Sequence, residues 1–321
     1  MRVLITGMGG ELGTRITNLL EADERITAIR GIDGYPPRRR ITRVDFHRVD
    51  PDDRRRTSHL IREFDPEAIV HFGVYEPHAH FGGTAARMGT LASAVSTLGA
   101  ARACPSLRRI VVRSGIEVYG RRRGATLRPD ESAPVEPTNV WGQSLAKVEQ
   151  LAVEAVAGTD VELSLLRYAP IVGPSFPSPA GRYLRLPIVA VSPLAELPFS
   201  LIHQEDAAAA AVAAVHAPVT GPLNVVGSGA VTASQAVRRG GRVPWPVFGP
   251  GWRVAAAAAE VLGAPLPPHV RDLLVRGAGG DGARAVAELG VEPRSTSEVV
   301  DQLYRWAETT DVATPTAAVT R

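Results

Sequence analysis

The stretch Arg2-Val3-Leu4-Ile5-Thr6-Gly7-Met8-Gly9-Gly10-Glu11-Leu12-Gly13 decides the fold of this 321-residue chain. Residues 2–6 form a short apolar, β-branched run that predicts a strand, and residues 11–22 carry apolar side chains at helical spacing. Between them, Gly7, Gly10 and Gly13 have the spacing G-x-x-G-x-x-G. Such glycines allow a tight turn and a close backbone approach to a pyrophosphate, which the following helix N-terminus attracts.

An acidic residue follows the glycine loop at the distance expected for a dinucleotide site. Asp33 lies twenty residues after Gly13, at the end of the second predicted strand, where a carboxylate can accept ribose hydroxyls. The alternative is a glycine-rich turn with a surface Asp. Asp33 repels a 2′-phosphate and so favours NADH, whereas Arg38, Arg39 and Arg40 lie close behind it and would allow NADPH.

Strand-like and helix-like segments alternate through the first half of the chain. Strands are predicted at 25–32, 44–49, 67–72, 107–112 and 161–168, and helices at 57–64, 84–103 and 138–157. This alternation predicts an α/β fold with a doubly wound parallel sheet. We expect a dinucleotide-binding domain over residues 1–170 with a return segment at about 201–226. A smaller C-terminal substrate lobe of helices and loops is expected over 171–307, and a flexible tail over 308–321. Asp206 is expected to cap the alanine-rich helix within the return segment.

Composition narrows the class of protein. Hydrophobic residues make up 45%, charged residues 21%, and the net charge is +3, which argues against a disordered chain and against a nucleic-acid partner. Cys104 is the single cysteine, which excludes an internal disulfide and favours the cytoplasm. The longest apolar run, 207–215, is shorter than the ~18 residues that a membrane span needs. No metal site is expected, because His78 and His80 lack an apparent third ligand.

Further motifs are spread over about residues 1–307: Val49-Asp50, His71-Phe72-Gly73-Val74, Val118-Tyr119-Gly120, 166–174, 201–207 and 224–227. With them the chain resembles the extended short-chain dehydrogenase/reductase family, which includes nucleotide-sugar epimerases and dehydratases. The resemblance implies a Rossmann fold with a C-terminal substrate lobe. It also implies cofactor contacts from Gly7, Gly9, Gly10, Glu11, Leu12, Gly13, Asp33, Arg38, Asp50, Phe72, Gly73, Val74, Arg113, Pro170 and Val172.

The chemistry of that family uses a Tyr, a Lys four residues later, a Ser and an Asn. Aligned by their surrounding motifs, these positions fall on Trp141, Leu145, Gly115 and Ala86, and none has the expected side chain. An indole N–H donates a hydrogen bond but does not release a proton at neutral pH. The resemblance therefore implies a reaction centre that works differently or not at all.

Other polar groups lie near the vacated positions in the sequence. Ser114 and Glu117 are the nearest polar replacements for the missing Ser, and together with Trp141 they are the candidate catalytic residues. Trp141 is alternatively an apolar wall for a flat substrate. Tyr75 follows the fourth strand, where family members approach nicotinamide and substrate. The run 121–123 is either a solvated loop or an attractor of an acidic substrate.

The lost acid does not exclude hydride transfer. A general acid is worth roughly 10²–10⁴ in rate, whereas holding two reactants together is worth roughly 7–11 kcal/mol. The chain is similar to atypical family members of actinobacterial polyketide pathways, the angucyclinone ketoreductases, which reduce a ketone without the Tyr and Lys. This likeness implies an NADH- or NADPH-dependent ketoreductase of a polycyclic aromatic polyketide. After hydride transfer to the ketone, the substrate itself or water would supply the proton.

Two other functions stay open. The first is a catalytically inactive dinucleotide-binding sensor or scaffold, and the second, disfavoured by the missing proton shuttle, is a nucleotide-sugar epimerase or dehydratase. The expected partner is a small, bulky aromatic molecule, with neither nucleic acid nor membrane. By analogy with the family, we also expect a homodimer whose interface is formed by two helices from each subunit.

Overall fold

One parallel sheet organises the computed structural model of the protein, which describes residues 1–78, 82–122, 124–193 and 196–309. Within that part of the chain the sheet has seven strands in the order β10-β6-β5-β4-β1-β2-β3, all paired in parallel. The predicted α/β parallel sheet is confirmed. Its strands are β1 (Arg2–Thr6), β2 (Ala28–Asp33), β3 (Val44–Arg48), β4 (Ala68–His71), β5 (Arg109–Gly115), β6 (Glu162–Tyr168) and β10 (Gly221–Val225).

Helices cover both faces of the sheet, which explains why its strands read as continuous apolar runs. In β1, Val3 and Ile5 point into one core together with α1 and α6, while Leu4 points into the other core with α2, α3 and α4. The helices are α1 (Glu11–Glu21), α2 (Arg54–Phe64), α3 (Gly83–Ala101), α4 (Val140–Val156) and α6 (Gln204–His216). A 3₁₀ turn, Ile116–Tyr119, follows β5.

The strand order places a crevice at the carboxyl end of β1. β1 pairs with β2 on one side and with β4 on the other, so successive crossovers run in opposite directions from it. Ligands of open α/β sheets bind at such a reversal point, outside the carboxyl ends of the strands. The glycine loop after β1 therefore lies where a ligand is expected.

The remaining elements belong to the C-terminal part of the chain and to the segment between β6 and α6. They include a strand that the sequence did not indicate: Val243–Pro246 pairs in parallel with Ile188–Val191. Pro244 and Pro246 argue against a strand, but a two-stranded sheet has only edges, where a missing N–H costs little. These elements are β7 (Ile171–Val172), α5 (Pro179–Leu184), β8 (Ile188–Val191), β9 (Ile202–His203), α7 (Ala233–Arg239), β11 (Val243–Pro246), α8 (Gly251–Val261), α9 (Pro268–Arg276), α10 (Ala283–Leu289) and α11 (Thr296–Thr309).

The alanine-rich helix α6 packs against the sheet and α1, where its small side chains are buried. The expected cap was wrong: His203, not Asp206, is the N-cap, and its Nδ1 accepts the N–H of Glu205 at 3.3 Å. Asp206 lies in the first turn and binds the Arg294 guanidinium at 2.6 Å instead. None of the described helices is both long and apolar enough to cross a membrane.

Candidate functional site

The glycine loop connects β1 to α1 in a conformation that side chains would prevent. Gly7 has φ +77°, and a Cβ there would collide with the backbone of Phe72 at the end of β4. A Cβ at Gly13 would collide with the Gly7 carbonyl. The loop is thus pressed between two strand ends and its own helix, which is the close approach that the glycine spacing predicts.

A cleft of about 500 Å³ opens above this loop, and we call it the glycine-loop cleft. Glu11, Leu12 and Gly13 of the first turn of α1 line it, and no side chain caps this helix. Uncapped N–H groups at a helix N-terminus form an anion site. The opposite walls are Tyr35, Pro36, Arg38, Phe72, Val74, Tyr75, Glu76, His78, Arg113, Phe176 and Pro177.

Asp33 both lines the cleft and fixes the loop. Its Oδ2 accepts the N–H of Gly9 at 2.9 Å, and its Oδ1 accepts the N–H of Tyr35 at 3.0 Å. Burial raises the pKa of Asp33, and the backbone donors oppose that shift. Each carboxylate oxygen keeps a further lone pair. Asp33 can therefore accept ribose hydroxyls while it holds the glycine loop.

Tyr75 follows the strand where the resemblance implies an approach to nicotinamide and substrate, and it lines both the cleft and a smaller pocket beside Asp33. Asp33 and Asp50 also line this smaller pocket, which lies between the carboxyl ends of the strands and α3. Burial raises the pKa of Tyr75, and the two carboxylates raise it further. The Tyr75 backbone N–H donates to Thr90 Oγ1 at 2.9 Å, which fixes this segment on α3.

The four positions that the resemblance aligns with the family's reacting groups are not among the described residues that line the cleft; of the four, Trp141 lines a neighbouring cavity. Ala86 and Leu145 are buried in α3 and α4, and Trp141 is 7% exposed. A Cβ at Gly115 would lie 3.1 Å from Leu145 Cδ1 and would collide with Glu117 Oε2. A carboxylate oxygen of Glu117 thus occupies the space that a side chain at position 115 would need.

The surroundings of Glu117 favour its protonated form. Burial raises the pKa of Glu117 to about 6 and Glu76 adds to the shift, while its own backbone N–H, His269 and Arg121 oppose it. Arg113 faces Glu76 and Glu117, and its guanidinium donates to the Val74 carbonyl at 3.1 Å. The Glu117 carboxyl can consequently carry a proton close to neutral pH.

His269, which the sequence reasoning missed, completes this cluster from α9. Its Nε2 lies 3.1 Å from Glu76 Oε1, and its ring packs on Trp141 with centroids 5.9 Å apart at 42°. Nothing in the local sequence marks His269, because its partners are more than 120 positions away in the chain. Only the packing of α9 over the ends of β4 and α4 brings them together.

Ser114, the second polar candidate, serves a buried network. Its Oγ donates to Glu149 Oε1 at 2.6 Å, and Glu149 pairs with Arg167 at 2.7 Å. Arg167 also donates to the Tyr119 hydroxyl at 3.0 Å, and that hydroxyl donates to Asn224 Oδ1 at 2.7 Å. Ser114 is only 2% exposed. Its hydroxyl points to Glu149, so the structure gives it a structural role.

The other predicted cofactor contacts divide into two groups. Gly7, Gly9, Gly10, Arg38, Phe72, Val74 and Arg113 line the cleft with the first turn of α1. Four others do not: Asp50 lines the small pocket beside it, Gly73 lies against Ser93, Pro170 accepts the N–H of Ile202 with its carbonyl, and Val172 pairs with His203 in the short sheet of β7 and β9.

The arginine runs bind protein groups. Arg39 lies 3.5 Å from Glu11, Arg121 donates to the carbonyls of Thr126 and Gly279, and Arg122 pairs with Glu136 at 3.2 Å. Arg123 and His80 lie outside the described residues. Within the part of the chain that the structure describes, no group of three or more His, Cys, Asp or Glu side chains could hold a metal ion.

The NAD dependent epimerase/dehydratase family model matches residues 3–226, which include the glycine-loop cleft, Glu117 and Trp141. The chain belongs to this family. Membership makes it an NAD-dependent enzyme of the oxidoreductase type, and the glycine loop and Asp33 fit that cofactor. The more specific likeness to ketoreductases of polyketide pathways remains a prediction.

Among curated proteins, this family member is 28% identical to an uncharacterized protein of Mycobacterium tuberculosis (strain ATCC 25618 / H37Rv) over 98% of the chain and 86% of that protein. Solved structures share its fold. UDP-glucose 4-epimerase from Thermus thermophilus, complexed with NAD, gives a TM-score of 0.74 at 20% identity, covering 97% and 100% of the two chains. dTDP-glucose 4,6-dehydratase from Bacillus anthracis, also with NAD, gives 0.73 at 18%, covering 97% of each chain.

Proposed function

We propose that this protein is an NADH- or NADPH-dependent ketoreductase in which Glu117 supplies the proton. The observation that carries the proposal is the position of the Glu117 carboxyl, which fills the space above Gly115. There, burial raises its pKa to about 6. A family member without the usual Tyr and Lys thus has a proton donor where the resemblance places the missing Ser.

In such a reduction, different described residues would bind the cofactor and transfer the proton. The first turn of α1 would hold the pyrophosphate and Asp33 a ribose, which positions the cofactor in the glycine-loop cleft. NADH, when bound, supplies the hydride that adds to the carbonyl carbon. As the C=O bond opens, the oxygen takes the proton of Glu117, which becomes a carboxylate and regains a proton from water. Arg113 and His269 face that carboxylate and stabilise it.

This assignment changes the sequence-based expectation, in which substrate or water provides the proton. It also explains the loss of Tyr and Lys at positions 141 and 145. With an acid at Glu117, Trp141 is free to act as an apolar wall, and a cation at position 145 is not needed to lower a phenol pKa. Leu145 instead packs beside Gly115 and keeps that side of the carboxyl dry.

An epimerase or dehydratase acting on a nucleotide sugar is the second candidate. It is favoured by the family model and by the fold shared with UDP-glucose 4-epimerase from Thermotoga maritima, solved with UDP-glucose. Against it, neither Trp141 nor Leu145 can exchange a proton with a sugar hydroxyl. A non-catalytic dinucleotide sensor is the third candidate.

The test compares the wild-type protein with Glu117→Gln on two substrate panels. One contains flat aromatic ketones with NADH or NADPH, followed by loss of the reduced nicotinamide absorbance, and the other contains UDP-glucose and dTDP-glucose with NAD. We expect ketone reduction by the wild type and a loss of about 10²–10⁴ in kcat for Glu117→Gln, with cofactor affinity unchanged.

Glu154→Gln, an exposed change on α4, is the matched control and should leave kcat unchanged. Full activity of Glu117→Gln would show that substrate or water, and not Glu117, supplies the proton. Cofactor binding without turnover on either panel would establish the sensor, and C4 inversion of UDP-glucose would establish the epimerase.

A further inference from the structure

A second, larger cavity adjoins the reaction centre on the side of Trp141. It has a volume of about 830 Å³, which is within the usual range for small-molecule sites. The N-terminal turns of α3 and α4 form one wall, and α8 with the segment 265–268 forms the other. We name it the tryptophan cavity.

We propose that the tryptophan cavity binds the ring system of an uncharged, ring-bearing carbonyl compound. The proposal rests on the proposed function for the fate of the carbonyl group, but binding itself is measured separately. It also concerns a different part of the site, because the acid at Glu117 acts on the carbonyl and the cavity receives the rest of the molecule.

The walls of the cavity are mostly apolar and include an aromatic surface. Trp141 and His269 lie side by side at one end, with ring centroids 5.9 Å apart. Met88, which is 64% exposed, and Val140, 50% exposed, present large apolar side chains to the open space. Aromatic and thioether groups bind flat ring systems well, so an apolar ring would replace water that these side chains bind poorly.

The charges in the cavity do not suit a nucleotide diphosphate. Among the described lining residues, Arg87 is the only arginine, and Glu260 of α8 supplies an opposing charge. Recognition of a diphosphate commonly uses forked arginine contacts to its several oxygens. The cavity offers one guanidinium balanced by one carboxylate, which favours an uncharged ligand over a nucleotide sugar.

The tryptophan cavity adjoins the glycine-loop cleft. His78 lines both spaces, and Glu76, a wall of the cleft, lies 3.1 Å from His269, a wall of the cavity. A compound whose rings occupy the cavity can therefore extend its carbonyl group toward the cluster of Glu76, His269 and Glu117. A carbonyl with no attached ring would leave the cavity empty.

The experiment measures binding of 1-tetralone, a two-ring aromatic ketone, to the full chain by calorimetry, with UDP-glucose as competitor. Ala256→Trp fills the cavity from α8, and Ala258→Trp, at an exposed position on the same helix outside the cavity, is the matched control. We expect Ala256→Trp to weaken 1-tetralone binding about tenfold or more, equivalent to ~1.4 kcal/mol. Ala258→Trp should match the wild type, and UDP-glucose should not compete.

Met88→Glu is the second variant, at a well-exposed position that tolerates a polar side chain. It places a charge in the cavity and should also weaken binding, which keeps the test decisive if Ala256→Trp does not fold. Unchanged affinity in either folded variant, or displacement by UDP-glucose, would overturn the proposal. Binding that responds to both variants without any ketone turnover would support the cavity and refute the proposed function. Ketone turnover that neither variant changes would support the proposed function and refute the role of the cavity.

Discussion

His269 Nε2 lies 3.1 Å from Glu76 Oε1, and this contact joins α9 to the segment that follows β4. The two side chains act on the same third group in opposite directions. Glu76 raises the pKa of Glu117, whereas His269 lowers it. Burial is the largest cause of the raised pKa of Glu117, and this pair adjusts that pKa in opposite directions.

The first prediction follows from these signs. Reduction needs protonated Glu117, so the rate should fall as the pH rises through about 6. His269→Gln removes one of the groups that lower this pKa and should move the midpoint to higher pH. Glu76→Gln removes a group that raises it and should move the midpoint to lower pH. The pH profiles of kcat for the three proteins test this, and shifts in the same direction would exclude Glu117 as the titrating group.

The second prediction concerns cofactor choice at Asp33. Asp33→Asn removes the charge that repels a 2′-phosphate but keeps an acceptor for one of the two backbone N–H groups that Asp33 binds. The ratio of kcat/KM for NADPH to that for NADH should rise about tenfold or more. Asp52→Asn, an exposed change, should leave the ratio unaltered. An unaltered ratio in Asp33→Asn would mean that Asp33 serves the loop alone.

The third prediction tests the buried network around Glu149. Glu149→Ala leaves the Arg167 guanidinium, 4% exposed, without its carboxylate partner. The free energy of unfolding should fall by about 3–5 kcal/mol, as measured by urea denaturation. Glu154→Ala on the same helix is exposed and should change stability by less than about 0.5 kcal/mol. Equal effects of the two variants would contradict a structural role for the network that holds Ser114.

The fourth prediction separates two glycines. Gly7→Ala places a Cβ against the Phe72 backbone at φ +77°, so it should weaken NADH binding and lower the unfolding free energy by about 1–3 kcal/mol. Gly99→Ala lies in open space on α3 and should raise the unfolding free energy by about 0.5–1 kcal/mol. Calorimetric titration with NADH and thermal unfolding measure both effects. A Gly7→Ala protein with normal affinity would show that the loop can move away from β4.

The local sequence pattern was sufficient to predict the parallel sheet. Val3, Leu4 and Ile5 are apolar and buried on both faces of the sheet, and the glycine spacing after Thr6 is typical of a dinucleotide-binding loop. The strand Val243–Pro246 could not be predicted from the sequence. Its pairing with Ile188–Val191 is a long-range contact, and its two prolines are unfavourable in a strand. The expected homodimer remains a prediction.

The sequence by itself determined the parallel α/β sheet, the glycine loop with Asp33, and the loss of Tyr and Lys at Trp141 and Leu145, because each depends on residues close together in the chain. Only the tertiary structure decided the candidate reaction centre. Glu117, Glu76 and His269 are far apart in sequence and meet because α9 packs over the end of β4. Burial of the Glu117 carboxyl and the charges of its neighbours determine its pKa. Neither can be predicted from the local sequence.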